Sequence, residues 1–364
     1  LWSVNLHKYR LQSWLDAIPS DNTIYMRPVT GYITFALICL AASVGAAATP
    51  LSVYTAVSPD ELSRVSRVFA TVRPDIELRW IRNSTDRIIA RLHREINQPK
   101  ADIVWGVAAS ALAELASNRY FEPYAPEGFE RLDRKFSSSG DQPIWVGLRV
   151  WTSALCINTA ILKSRNLEQP TRWGDLLAPA FRGQVLALDP HGSRTGRMAL
   201  SGWFSLWGDA GAWRYMEGLH RNVVAYLQAG GMPCNLVAQG LYPVGISFAY
   251  KAVTLKGKEL PIEAVIPGDG VGWDVEAMAI VRDTPYPEAA RAFADWSLSK
   301  QAMDILSRGF GMTTLAGQNG LRKTFPAEVR NRLAPIEFTA NYLVDNKTLA
   351  EWRLRFGVKT ILRE

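Results

Sequence analysis

The sequence has little of what thiol and metal chemistry need. Its 364 residues include 3 cysteines and 4 histidines. Cys39, Cys156 and Cys234 are too few for a disulfide-dense scaffold, and no Cys-x-x-Cys or His-x-x-x-His spacing occurs, so the pattern contains no zinc ligand set. Neither a metal nor a cofactor is therefore expected. Lys and Arg number 41 against 34 Asp and Glu, a net charge of +7, yet the basic residues never gather into a run. That excludes a dedicated nucleic-acid patch and leaves a mildly basic, solvated surface. Internal repeats and low-complexity segments are also missing. What is plentiful is apolar side chain, 48% of the chain, enough to bury one large or two medium cores. A disordered chain is excluded, and the length favours two domains.

The first methionine is Met26. Arg27, an apolar run from Gly31 to Val44 and Ala46-Ala47-Ala48 follow it, in the order charge, apolar stretch and small residues that marks a secretory leader. The apolar run is short for a membrane span. Residues 1–25 are read as an upstream segment outside the mature protein and 26–48 as a signal peptide cleaved after Ala48, which predicts a periplasmic protein. Cys39 lies inside the apolar run behind Ile38, is not a lipidation site on this reading, and leaves with the leader. Cys156 and Cys234 then meet an oxidising compartment, where pairing and two buried free thiols both remain open.

Beyond the leader, period-2 and period-3.6 hydrophobic patterns alternate. Val53–Thr55 reads as a strand. Ser58-Pro59-Asp60-Glu61 opens a helix whose apolar stripe is Leu62, Val65, Val68 and Phe69. Ile76, Leu78 and Trp80 alternate as a strand, Asn83-Ser84-Thr85-Asp86 opens a second helix, and residues 101–106 form a third strand before another helix. The β-α-β-α-β-α order implies a parallel sheet whose ligands sit at the carboxyl ends of the strands. After the extended stretch Ile144–Asn158 a second set follows, with strands at 184–188, 223–227, 242–248 and 261–266 and a helix over Met198–Trp207. A further extended stretch near Gly272 precedes a helix over Pro287–Arg308. Two chain crossings between lobes are expected, near 149–153 and 269–273. Lobe I is then 49–152 with 271–364, and lobe II is 153–270.

Two loops suit an oxyanion. His191-Gly192-Ser193-Arg194-Thr195-Gly196 directly precedes a helix, and Ser84-Thr85 starts another, so backbone N–H groups, hydroxyls and helix dipoles converge. An ordinary capping loop reads the same way. In Gly272-Trp273-Asp274-Val275-Glu276 two carboxylates and an indole lie beside an expected crossing, where they suit a ligand ammonium or form a salt-bridged hinge. Tyr250 and Trp151 are candidates for the same wall. Catalytic patterns are weak: Gly245-Ile246-Ser247-Phe248-Ala249 misses the nucleophile elbow at its last position, and a Cys156/His191 pair competes with a buried role for Cys156.

Ile103-Val104-Trp105-Gly106, Trp145-Val146-Gly147, Cys156-Ile157-Asn158-Thr159, Gly245-Ile246-Ser247-Phe248 and Gly272-Trp273-Asp274-Val275-Glu276-Ala277 resemble the 2-aminoethylphosphonate-binding proteins. These are periplasmic solute-binding proteins of ABC importers, related to ferric-ion and polyamine binders. The resemblance runs from about Leu51 to Arg353. It implies an α/β, two-lobed periplasmic binding protein type II fold, with two mixed sheets, flanking helices and a double-crossing hinge. It implies a monomer that binds an aminophosphonate between the lobes, catalyses nothing, and hands the ligand to an inner-membrane ABC permease. By carry-over, Ser84, Thr85 and Ser110 of lobe I and Ser193, Thr195 and Gly196 of lobe II hold the phosphonate, while Tyr250, Trp273, Asp274 and Glu276 surround the amine. The ferric binders carry two adjacent tyrosines where this chain has Ala249-Tyr250, a departure that argues against iron. Another small ligand (ferric ion, polyamine, phosphate or other oxyanion) and a secreted hydrolase are the alternatives.

Overall fold

The computed structural model describes residues 47–116, 119–308, 312–315, 327–335 and 344–361, all of which except Ala47 lie in the compact unit that begins at Ala48. Apart from its last two alanines, the expected leader lies outside the described residues, as does Cys39.

The chain opens as β1 (Thr49–Thr55), α1 (Pro59–Val72), β2 (Ile76–Arg82), α2 (Thr85–Arg94), β3 (Ile103–Ala108) and α3 (Ala109–Ala116). β1 pairs in parallel with both β2 and β3. Pro59 stands in the first turn of α1, where its missing N–H removes no helical bond, and Asp60 and Glu61 follow where the helix dipole favours acids. Leu62, Val65 and Phe69 form the buried stripe of α1.

β4 (Phe121–Glu122) and β5 (Val146–Asn158) come next, then α4 (Thr159–Ser164), β6 (Val185–Leu188), α5 (Arg194–Asn222), β7 (Val223–Leu227), α6 (Met232–Ala238), β8 (Val244–Phe248), α7 (Ala249–Lys256) and β9 (Ile262–Val265). β10 (Trp273–Val281), α8 (Pro287–Ser297), α9 (Lys300–Arg308), β11 (Met312–Thr313), α10 (Asn346–Phe356) and β12 (Thr360–Ile361) complete the order. β5 belongs to both lobes. Its first half, to Thr152, runs antiparallel to β10, which in turn pairs antiparallel with β3. From Ser153 it lies between β8 and β9. Both sheets are thus mixed, and one continuous strand joins them.

The first lobe packs the half-buried Trp80 onto a buried aromatic cluster of Phe69, Trp105, Phe293 and Trp296, with ring centroids 5.1 to 6.0 Å apart. The Trp105 Nε1 proton is satisfied by Ser297 Oγ at 2.9 Å, as a buried indole requires. Trp173, Trp203 and Tyr215 form the counterpart in the second lobe.

Three expectations are corrected. The helix read as Met198–Trp207 does bend out of helical geometry right after Trp207, at Gly208 with φ 62°, but it continues as a second helical segment to Asn222. A glycine permits that turn without a Cβ clash. The helix read over 287–308 is two helices, α8 and α9, broken at Leu298-Ser299. Residues 271–364 do not all belong with lobe I: β12 pairs with β7, Trp352 packs edge-on against Tyr226 at 4.9 Å, and Arg355 reaches Glu217. The C-terminal helix buries Leu349, Trp352 and Phe356, and the second lobe supplies the aromatic surface that covers that stripe.

Candidate ligand-binding site

The carboxyl ends of β1 and β2 and the first turn of α1 face the end of β8 and the start of α7 across a cavity of about 370 Å³. Val57, Ser58 and Arg82 come from the first lobe, Phe248 and Tyr250 from the second, and Trp151 and Thr152 from the shared strand β5. The Trp151 and Phe248 rings meet edge-on at 6.2 Å, and Phe248 stacks with Tyr250 at 6.5 Å. One wall is therefore aromatic.

Beside it the lining is ionic. Arg149 and Glu276 are register partners on β5 and β10, and Arg149 Nε donates to Glu276 Oε2 at 2.7 Å. Arg149 Nη1 donates to Glu61 Oε2 at 3.1 Å, lies 2.9 Å from Glu61 Oε1, and also donates to the Leu306 carbonyl at 3.3 Å. One guanidinium thus answers two carboxylates. Glu61 is only 3% exposed; burial holds its carboxyl above the ordinary value against the pull of Arg149. Burial alone lowers Arg149, but Glu276 and Glu61 hold it above its usual value. Arg82, by contrast, donates Nε to the Val57 carbonyl at 2.7 Å and has no carboxylate partner among the described residues.

Of the residues singled out in the sequence, Trp151, Tyr250 and Glu276 line this cavity. Trp273 does not: its indole is 2% exposed, packs on Phe136 and donates to the Ala334 carbonyl at 2.8 Å. Asp274 is fully buried behind Ser110, accepting from Ser110 Oγ at 2.5 Å and Ser110 N at 3.3 Å. Burial pushes its carboxyl up to about 6, against the pull of the Ser110 hydroxyl and Arg194. Both are thus corrected from cleft wall to interior.

The two proposed anion loops do approach each other across the lobes, but they close on an arginine. Arg194 donates Nε and Nη2 to Asp86 Oδ1 at 3.0 and 2.7 Å and Nη1 to Ser110 Oγ at 3.0 Å. Ser193 Oγ is engaged as the N-cap of α5, accepting from Gly196 N at 3.2 Å. Thr195 is buried, Thr85 half-buried, and Ser84 is an exposed N-cap whose side chain makes no capping bond. None of Ser84, Thr85, Ser110, Ser193, Thr195 and Gly196 is among the residues that line the cavity.

Sequence reasoning missed Glu61, Arg82 and Arg149. Glu61 reads as an ordinary first-turn acid, and Arg82 as the end of a strand. Arg149 carried a signal, a lone charge within the apolar stretch 144–158, since an arginine buried in a strand needs a partner. The catalytic alternatives lose their groups. Cys156 is joined to Cys234 by a disulfide, so it offers no thiol, and Ser247 Oγ donates to the Gly230 carbonyl at 2.6 Å.

The family model for bacterial extracellular solute-binding proteins matches residues 98–333. The chain belongs to that family. A probable ABC transporter periplasmic-binding protein, y4fP, of Sinorhizobium fredii is 23% identical over 284 residues, 76% of this solute-binding protein and 77% of the relative. Among solved structures, AfuA from Actinobacillus pleuropneumoniae, with exogenous fructose-6-phosphate bound, has a TM-score of 0.71 at 23% identity and covers 85% of this chain and 99% of its own. Iron-bound HitA from Pseudomonas aeruginosa gives 0.72 at 17% identity over the same shares. This chain shares the two-lobed periplasmic binding protein fold with AfuA and HitA.

Proposed function

We propose that this solute-binding protein is the capturing subunit of an ABC importer and that it takes a small zwitterionic phosphonate, best 2-aminoethylphosphonate, as a monomer delivered to the periplasm by the leader at 26–48. One observation carries the ligand class: Arg82, a cation with no carboxylate partner among the described residues, and Glu276, a carboxylate with one oxygen on Arg149, face the same cavity. On this reading the phosphonate meets the Arg82 guanidinium and the Ser58 hydroxyl, and the ammonium meets Glu276 and the ring faces of Trp151 or Tyr250. The phosphonate moves away from the loop at Ser193–Gly196, where Ser193 caps its own helix and Arg194 is held by Asp86 and Ser110. Capture is then closure without covalent chemistry. Ligand held by one lobe recruits the other, and a membrane permease reads the closed form. The name of the Sinorhizobium relative supports the importer partner.

A sugar phosphate is a second reading. The cavity volume of about 370 Å³ falls within the roughly 300–1,000 Å³ of drug-sized ligand sites, and an aromatic wall suits a sugar ring; AfuA was solved with fructose-6-phosphate. Calorimetry separates the two. The first reading expects one site for 2-aminoethylphosphonate with no ligand consumed, and a loss of about tenfold or more in Arg82→Gln, as for a charge-assisted bond. Binding of fructose-6-phosphate alone transfers the conclusion to the second reading, and no heat with either compound rejects both.

A further inference from the structure

Glu276 is useful to a ligand cation only if its charge is not already consumed by the arginine beside it. Arg149 lies between Glu276 and Glu61, with Nε on the first and Nη1 on the second. Arg149 is always charged, and its burial demands at least one carboxylate. If Glu276 were that partner alone, the pair would be neutral and the wall indifferent to an incoming cation. With Glu61 present the three groups carry one net negative charge, and the geometry shows where it rests. Glu61 and Arg149 line the cavity as well, but Glu61 is only 3% exposed, whereas the Glu276 side chain keeps 25% of its surface open. Glu276 Oε1 accepts no hydrogen bond from a described residue. Arg64, one turn along α1, also faces Glu61 but does not line the cavity.

We propose that Glu61 is a specificity-determining positioning residue: by neutralising Arg149, it leaves the Glu276 carboxylate free to recognise a primary ammonium on the ligand. This rests on the phosphonate reading of the cavity, deepens it, and replaces Asp274 by Glu61 as the second carboxylate of the amine end. Glu61 acts through Arg149 and need not touch the ligand.

The test compares 2-aminoethylphosphonate with ethylphosphonate, which lacks the ammonium, by calorimetry on the full-length mature protein. Wild type is expected to prefer the amine. In Glu61→Gln the preference for the amine over ethylphosphonate should fall by about tenfold, the size of one charge-assisted hydrogen bond, and one-site binding of ethylphosphonate at whatever affinity reports that the cavity still forms. The double variant Arg149→Gln/Glu61→Gln removes the cation with its partner, frees Glu276 again, and should restore the preference to wild-type level or above. A lost preference that the double variant does not restore would overturn the proposal. If Glu61→Gln does not fold, Glu61→Asp, which keeps the buried charge but draws it back from Arg149 by one methylene, carries the test: a reduced preference supports the proposal and an unchanged one overturns it. An unchanged preference in Glu61→Gln overturns the role of Glu61 and leaves the phosphonate reading standing. Failure of the wild type to bind 2-aminoethylphosphonate rejects that reading and the inference with it.

Discussion

At the residue scale, Asp274 shows how a correct pattern leads to a different place. It and Glu276 occupy positions i and i+2 of a strand and share a face, which the sequence displays. The fate of each depends on what lies opposite. Glu276 meets Arg149 and the cavity, while Asp274 meets Ser110 and is sealed. Its carboxyl titrates near 6 in the folded protein and near the ordinary value of about 3.9 when unfolded. The folded state therefore binds the proton more tightly, so this group's contribution to stability is present below about pH 4 and is lost as pH rises through 6. Asp274→Asn removes that dependence. From pH 4 to pH 7.5 the unfolding free energy of the variant should rise relative to wild type by up to about 3 kcal/mol, at about 1.4 kcal/mol per unit, read from denaturant melts at both pH values. A constant difference would show that Asp274 titrates like an ordinary surface carboxylate.

At the element scale, β5 has both an electrostatic and a covalent anchor. Cys156 in its second half is bonded to Cys234 in α6, across 78 residues of sequence with Cα atoms 5.3 Å apart. Closing a loop of that size restricts the unfolded chain by about 4–5 kcal/mol in the chain-entropy model, and removal of native disulfides typically costs about 2–5 kcal/mol. Cys156→Ala/Cys234→Ala should lower the urea midpoint accordingly without changing ligand stoichiometry, since neither cysteine lines the cavity. An unchanged midpoint would mean that packing alone holds β5. The sequence left pairing and free thiols open because cysteine count and compartment say nothing of distance. It also left open why glycines stand at 202 and 272. A Cβ on Gly202 would strike the Gly272 backbone, so α5 and the strand leading into β10 approach closely where the chain re-enters the first lobe.

At the scale of the whole molecule, the lobes are tied by Arg194. From the first turn of α5 in the second lobe it grips Asp86 on α2 and Ser110 on α3 in the first. Asp86 is exposed, so the ion pair itself is worth at most about 1 kcal/mol, but the bond to buried Ser110 adds the ~1.5–3 kcal/mol of a charge-assisted contact. Arg194→Ala should shift the ligand-free protein toward an open form, seen as a larger radius of gyration in solution scattering, with addition of 2-aminoethylphosphonate returning it toward the wild-type value. An unchanged radius would show that the contact does not hold the lobes together.

By itself the sequence determined the class of the fold and the order of its elements, because those follow from local physics. Pro59 and the acids after it start a helix, alternation at 76–80 makes a strand, and β-α-β order makes the first three strands parallel. The same local reading placed Tyr250 and Trp151 at a lobe edge and Glu276 beside a crossing, and all three line the cavity. The tertiary structure alone decided the rest of the site. Glu61, Arg149 and Glu276 are far apart in sequence and meet only through the β5–β10 register and the packing of α1 over it. Arg194 fills the ground between loops that resembled an anion cradle, since a helix N-terminus looks the same whether it meets an anion or its own capping serine. The C-terminal helix returns to the second lobe because the surface that covers its apolar stripe lies there. Long-range pairing of charges and burial of whole faces depend on which surfaces are left uncovered once every element has folded, and no window of residues contains that information.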